Sequence, residues 1–409
     1  MSMDRLIERI KALNNPSVAG LDPKLEYVPA YIRDAFLNEY EDPLEGAAMA
    51  LLEFNKGLID ALCDIVPAVK PQAAYYEQLG WQGIHTLQET ICYARKKGMY
   101  VITDGKRNDI GSTMEAYAAA HLGTVEIEGK RIAPFGADAL TVNGYLGTDG
   151  ITPLLKVCKE YDKSIFVLVK TSNPSSGDLQ DRLIDNKPVY QLMGEMCEAW
   201  GADTIGASGY SAVGAVVGAT YPQQLTELRK QLPHTFFLVP GYGAQGGAAA
   251  DACRALDENG IGGIINSSRA IMCAYQKAGA DEREYARCAR EEAIRMRDEL
   301  NAARRDAGIR EFVRDRKGTA ARALLSRSRQ RDASLWIPIF IKGGKGLGLS
   351  LYRLPAFCHT DSLIHAGRFF RKEKSSPLRA GYFLRRTEYE RSTIRPNPSA
   401  SQPLRRMQS

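Results

Sequence analysis

Asp104, Lys106 and Asp109 set two carboxylates around one ammonium in the stretch Asp104-Gly105-Lys106-Arg107-Asn108-Asp109. The apolar run Tyr100-Val101-Ile102-Thr103 leads into them. Ser112 with Glu115 three residues on has the pattern of a capping box, which would open an Ala-rich helix from Met114 to Leu122 that Gly123 is placed to stop. The charges therefore fall where a strand hands over to a helix. Residues two apart on a strand share a face, so Asp104 and Lys106 are expected to point the same way, with Asp109 following on the loop. Opposed charges at a strand end are costly unless they meet water or a charged ligand. Two chemistries are open at this point: a surface ion pair of little consequence, and a charge network holding a lysine ready to give up a proton.

A scaffold must hold these charges in place. Eight apolar runs recur up to about residue 265: Ser17–Leu21, Ile65–Val69, Met99–Thr103, Ala137–Val142, Ile165–Val169, Thr204–Ala207, Phe236–Val239 and Gly262–Ile265. Helical patterns lie between them, at Leu51–Cys63, Ile84–Lys97, Ile151–Tyr161, Tyr190–Trp200, Pro222–Gln231 and Gly246–Asn259. Apolar strands alternating with helices predict an α/β fold with a parallel sheet covered on its outer face. Eight units match a (β/α)8 TIM barrel better than an open doubly wound sheet, for which six strands are commoner.

In such a barrel, chemistry belongs at the carboxyl ends of the strands. The residues expected there form a charged ring: Asp22 and Lys24, Lys70, Asp104 and Lys106, Asn143, Lys170 through Pro174, Pro240 through Gly247, and Asn266 through Arg269. Gly241 to Gly246 formally matches G-x-G-x-x-G, but it follows the seventh run, and the next strand ends in Asn266 instead of the acid that would hold a ribose diol. The glycines suit a different use, letting backbone N–H groups approach an anion. Arg269 adds a forked charged donor and Gln245 an amide, so the turns after strands 7 and 8 are read as a phosphate site.

The net charge of +6 conceals an asymmetry. From Arg310 onward there are 22 Lys and Arg against 7 Asp and Glu, or +15, and the preceding chain has 32 against 41, or −9. Runs such as Arg322–Arg331 and Arg368–Lys374 give this tail the composition of a nucleic-acid-binding segment or of a solvated basic extension. Its Gly343-Gly344-Lys345-Gly346 run is no P-loop, because Leu347 stands where Ser or Thr is required. Eight scattered cysteines without a C-x-x-C pair suit reduced thiols better than a disulfide frame or zinc site. The five histidines form no ligand-spaced pair and read as structural or exposed. Met1 to Leu13 reads as an amphipathic helix, not a signal peptide, and no run is long enough to span a bilayer, so the expected location is cytoplasmic and off the membrane.

The stretch Asp104 to Thr113 resembles the D-x-K-x-x-D signature of the orotidine 5'-phosphate decarboxylases, and the order of motifs resembles the longer bacterial branch of that family. Gly20-Leu21-Asp22-Pro23, Val69-Lys70-Pro71-Gln72, Pro240 through Gly247 and Ser267-Ser268-Arg269 extend the likeness over about residues 1–305. Gly105 and Asn108 stand where Ala and Gly are expected, which leaves the spacing of the charges intact. The resemblance implies a cofactor-free, metal-free conversion of orotidine 5'-phosphate to UMP in de novo pyrimidine synthesis. It implies a catalytic tetrad of Lys70, Asp104, Lys106 and Asp109, with Lys106 protonating C6 and Asp109 reaching across a homodimer. Asp22 and Lys70 are implied as ribose ligands, Ser172 as the contact to the pyrimidine amide, and Gln245 and Arg269 as the phosphate grip. Thr113 is implied as a contact to the partner subunit's ligand. Asn173 to Gln180 is a candidate lid. The domain is then complete within residues 1–309, and residues 310–409 are expected to be a basic, disordered tail not native to the family, such as an out-of-frame reading would give. Two rival functions are a magnesium-dependent sugar-phosphate decarboxylase or hexulose-phosphate synthase on the same scaffold, and nucleic-acid binding through the tail. Lys70 argues against the first, since a cation there repels Mg2+.

Overall fold

A computed structural model of the chain describes residues 1–243 and 248–310, and the backbone of two further strands at residues 336–343 and 346–353. Eight strands close a parallel barrel: β1 Ser17–Leu21, β2 Ala68–Pro71, β3 Tyr100–Arg107, β4 Ala139–Val142, β5 Ser164–Lys170, β6 Val213–Val217, β7 Phe237–Val239 and β8 Gly263–Ser267. Each pairs with its neighbours in chain order, and β8 returns to β1 with Asn266 opposite Val18. The main helices are α1 Ser2–Leu13, α2 Pro43–Leu62, α3 Gly80–Lys96, α4 Gly111–His121, α5 Thr148–Tyr161, α6 Val189–Gly201, α7 Pro222–Gln231 and α8 Tyr285–Asp306. None of the described helices is long and apolar enough to cross a membrane.

Strand parity sorts the side chains into two cores. Ala19, Val69, Val101, Leu140, Val167, Ala215 and Ile265 face outward, where they pack with helix residues such as Leu58, Ile91, Leu154, Leu228 and Met296. Val18, Ala68, Ile102, Ala139, Phe166 and Ile264 face inward. The apolar stripe Met3, Leu6, Ile7 and Ile10 of α1 packs on this inner set and closes the end of the barrel where the strands begin. Two residues further along the same inner faces stand Gly20, Lys70, Asp104, Thr141 and Asn266. The interior thus changes from apolar to charged within one pleat. Gly20 is needed there: a Cβ would lie 1.9 Å from Ser268 Oγ and 2.8 Å from Ser268 Cβ, so a larger residue would displace the Ser268 side chain just past β8.

Three sequence expectations give way to local chemistry. The sixth strand is Val213–Val217, not Thr204–Ala207. At 204–207 the chain turns, with the Gly206 amide donating to Tyr210 O and the Ala207 and Ser208 amides donating to the Asp4 carboxylate of α1. Gly214 hides the true strand by interrupting its β-branched run, and it is required because a Cβ would meet the Phe166 ring at 2.5 Å. The helix after β3 begins at Gly111, and no side chain caps it; Ser112 lies past the N-cap position and is exposed. The helix expected over Gly246–Asn259 is reduced to Ala249–Ala252 and a 3-10 turn at Cys253–Ala255. Asp257 ends it by accepting from the amides of Asn259 and Ile261, a side-chain turn that competes with helix.

His121, near the end of α4, bears out the structural reading of the histidines at one position. It is 4% exposed, stacked on Phe135 with ring centroids 4.9 Å apart, and burial, aided by Arg107, pulls its pKa down to about 4. The folded state therefore binds this proton less readily than the unfolded chain. His121 contributes stability fully above pH of about 6.5, and the contribution is lost as pH falls toward 4. Between pH 7 and pH 5 the expected loss is about 2 kcal/mol. Urea unfolding of His121→Leu at both pH values should show that component removed; an unchanged pH dependence would rule it out.

The chain divides into two units, Met1–Ala333 and Ser334–Ser409. The first is secured as far as Arg310, whose amide donates to Glu258 O and whose carbonyl accepts from buried Arg304. In the second, the apolar run at Leu335 to Ile341, expected to lie in a disordered tail, contributes to a strand. Trp336–Gly343 pairs antiparallel with Gly346–Arg353. The remainder of the proposed tail lies outside the described residues.

Candidate active site

The inner faces of β2, β3 and β4 bring four polar side chains onto one carboxylate. Lys70 Nζ lies 2.7 Å from Asp104 Oδ2, and Lys106 Nζ lies 2.6 Å from Asp104 Oδ1. Thr141 Oγ1 donates to Asp104 Oδ1 at 2.8 Å, and Gln72 Nε2 donates to Oδ2 at 3.1 Å. The two amines thus converge on the two oxygens of a single group. Asp22 approaches from β1, with Oδ1 3.9 Å from Lys70 Nζ and no hydrogen-bond partner. That oxygen is buried beside Lys70 as an unused acceptor.

Burial alone would raise the Asp104 pKa, but the Lys70 and Lys106 charges and their hydrogen bonds override it and hold the carboxyl far below its ordinary range. Burial alone would lower Lys70, but Asp104 and Asp22 outweigh it and hold the ammonium above the usual lysine value. Both groups are therefore charged throughout the neutral range. Lys106 differs from Lys70 in access, its side chain being 45% exposed against 6%. One amine is a fixed buried charge; the other stands at the open side and can meet a ligand.

The backbone delivers Lys106 by an irregular route. The β3–β4 register shifts between Thr103 and Arg107, and Lys106 has a φ of 47°, the left-handed region that non-glycine residues avoid. Such a conformation costs on the order of 1–2 kcal/mol. The Lys106 amide donates to Thr141 Oγ1 at 3.0 Å, so the threonine that holds Asp104 also holds this turn. The expected pairing of Asp104 with Lys106 is present, but a bulge produces it and not simple alternation.

Two members of the cluster had no role in the sequence reading. Thr141 follows Ala139 by two on β4, and Gln72 follows Lys70 by two after β2; in both cases inner-face parity was the available signal. Asp109 and Thr113 stand apart from the cluster. Asp109 is half-buried, accepts only from the Ile110 amide at 2.8 Å and forms no ion pair among the described residues; Thr113 is exposed. Ser172, half-buried, follows β5. Arg269 is exposed at the start of the short helix Arg269–Met272 and makes no ion pair among the described residues. Gly241 and Gly243, with φ of 95° and 73°, form the turn expected after β7, while Gln245 lies outside the described residues. No three His, Cys, Asp or Glu side chains gather as a metal site among the described residues.

The family model described as orotidine 5'-phosphate decarboxylase / HUMPS matches residues 52–285. A protein of Rhodopirellula baltica named orotidine 5'-phosphate decarboxylase is 48% identical over 285 residues, 69% of this chain and 92% of the relative. One of that name from Caldicellulosiruptor bescii is 44% identical over 273 residues, 67% of this chain and 90% of the relative. The solved structure of Leishmania donovani OMP decarboxylase superposes with a TM-score of 0.54 at 31% identity, covering 73% of this chain and 99% of that one. On the closed barrel, the charge cluster at its mouth and this likeness, the chain belongs to the orotidine 5'-phosphate decarboxylase / HUMPS family.

Proposed function

We propose that this chain is a carboxy-lyase converting orotidine 5'-phosphate to UMP in pyrimidine biosynthesis, with Lys106 as the proton donor to C6. The observation that carries the reading is the convergence of Lys70 and Lys106 on Asp104. Loss of CO2 leaves an electron pair in the plane of the pyrimidine ring, where the ring π system cannot spread it. Stabilising that charge needs a cation held in position before the reaction begins. Asp104 keeps Lys106 charged and aimed, and Lys106, exposed on its far side, can then deliver the proton. The unpartnered Asp22 oxygen is matched to a ribose hydroxyl. The magnesium-dependent sister activities are disfavoured by Lys70, a buried cation in the floor of the site. Purified protein should lower the long-wavelength ultraviolet absorbance of orotidine 5'-phosphate, as the C6 carboxylate is lost, at the same rate with and without EDTA. Failure to act on it, or loss of the rate in chelator, would overturn the reading.

Arg269 is assigned to the substrate phosphate, together with Gln245. Arg269→Ala is expected to raise KM for orotidine 5'-phosphate by about 100-fold, the scale of a charged hydrogen-bonded contact, and to alter turnover of orotidine much less. Equal losses on both substrates would remove the assignment.

The site is completed by a second subunit, through Asp109 and Thr113. Asp109 does not reach Lys106 within its own chain, and it lies on a rim with exposed apolar residues: Ile110 at 50%, Tyr145 at 73% and Leu146 at 43%. A Cβ added at Gly150 would stand 3.0 Å from the Asp109 carbonyl and 3.6 Å from Leu146 Cβ, so both border the same point of the rim. An apolar patch of that kind suits a symmetric interface. Mixing Lys106→Ala and Asp109→Ala subunits should regenerate one intact site per hybrid dimer, or about a quarter of wild-type activity after random exchange. A mixture no better than its parents would exclude the shared site.

A further inference from the structure

The segment after β5 is fastened by the last side chain of that strand. Lys170 is fully buried, an unusual state for an ammonium, and it uses its charge on the segment that follows it. Its Nζ lies 2.6 Å from Asp181 Oδ1 and donates to Ser176 Oγ at 3.3 Å. The Tyr221 ring covers it, with the centroid 4.3 Å away. The Tyr221 hydroxyl accepts from Ser176 Oγ and donates to the carbonyl of Asn173. Gln180 closes the other edge, accepting from the Thr171 amide at 2.9 Å and donating to Thr171 Oγ1 at 2.8 Å. Residues 171–181 are therefore held at both ends and in the middle. Ser172 sits in the first turn, and Gly218 gives it room: a Cβ on Gly218 would stand 3.0 Å from Ser172 Cβ and 3.1 Å from its amide nitrogen.

Burying an ammonium is costly unless its partners are well placed, and an apolar plug would fill this space more cheaply. What the charged tie adds is direction. Asp181, the one carboxylate paired with Lys170 among the described residues, lies eleven residues along the chain and is 45% exposed, so the pair spans the whole segment. We propose that Lys170 and Asp181 are positioning residues for decarboxylation, a clasp that fixes Ser172 against the pyrimidine end of the substrate. Neither touches the reacting atoms; both act through Ser172. The inference rests on the reading of Ser172 as the contact to the pyrimidine amide.

The test compares substrate with a fragment lacking the pyrimidine. Asp181→Asn, at a half-exposed position, and Lys170→Met are assayed for turnover of orotidine 5'-phosphate and for inhibition by ribose 5-phosphate. The clasp predicts that kcat/KM falls about 10- to 100-fold, the scale of a misplaced contact, while the inhibition constant of ribose 5-phosphate changes by less than about twofold. It also predicts that Ser172→Ala costs much less in the Asp181→Asn background than in wild type, because the two act on one contact. Unchanged kcat/KM, parallel loss of substrate and fragment binding, or fully multiplicative effects of Ser172→Ala and Asp181→Asn would overturn the clasp. If Lys170→Met does not fold, Asp181→Asn alone decides. A wild-type protein inactive on orotidine 5'-phosphate, or a wild-type background in which Ser172→Ala is silent, would instead remove the reading on which the clasp depends.

Discussion

Lys106→Ala is expected to abolish turnover and leave the fold intact. The side chain is 45% exposed, and its ammonium pairs with the Asp104 carboxylate, so its loss removes a half-solvated group and not a core side chain. Asp104 retains Lys70, Thr141 and Gln72 as partners. Alanine inherits the backbone conformation at φ 47° without a new penalty, since lysine already bears the same Cβ strain. On the proposed mechanism the chemical step loses both its proton donor and the cation facing the developing carbanion, and a drop in kcat of at least about 10^4-fold is expected from the two together. Lys106→Arg should not restore the rate. Its guanidinium keeps the charge but is planar, and it does not give up a proton in the accessible pH range. Pre-steady-state decarboxylation measured beside a thermal melt separates chemistry from folding; near-normal kcat in Lys106→Ala would end the mechanism proposed for this site.

Much of this arrangement was legible in the sequence, because strand-end residues of a barrel are positioned by the strands themselves. Seven of the eight barrel strands overlap their apolar runs, since continuous apolar segments between helices have few other places to go. The sixth was misplaced where glycine cuts both ways: Gly206 lies in a run that turns, and Gly214 lies in one that stays extended to accommodate Phe166. Lys70 and Asp104 were visible as charges at strand ends. Thr141 and Gln72 were not, because a neutral polar residue carries no signal until the strand beside it is fixed in register. Asp109 and Thr113 illustrate the opposite limit. The D-x-K-x-x-D spacing singles out Asp109, but within one chain its carboxylate only caps the next amide, so its proposed work depends on a second copy. The bulge at Lys106 was hidden as well: a left-handed lysine is chosen by tertiary contacts against local preference, and such positions cluster at functional sites.

Asp104→Asn tests the electrostatics of the floor, and its effect on stability should be the largest of any single change in the cluster. Lys70 is 5% exposed and relies on Asp104 for its nearest counter-charge, the Asp22 oxygen being 3.9 Å away. Removing the carboxylate charge leaves a buried ammonium nearly unpaired, and breaking a buried pair in this way costs about 3–5 kcal/mol. The sign of the pH dependence should also reverse. In wild type Lys70 is held above its ordinary pKa, so its contribution is complete below the unfolded lysine value and fades only as pH rises through the folded one. In Asp104→Asn, desolvation is no longer outweighed, the folded pKa drops below the unfolded one, and stability should rise as pH climbs toward about 10. A second change discriminates further. Lys70→Met in the Asp104→Asn background removes the stranded charge and should recover most of the lost stability, while activity stays absent because Lys106 has no carboxylate to orient it. Denaturant unfolding of the wild type, the single and the double variant from pH 7 to above about 10.5 reads both effects. A single variant as stable as wild type, or a double variant no better than the single, would mean that Asp104 and Lys70 are coupled by hydrogen bonding and not by charge.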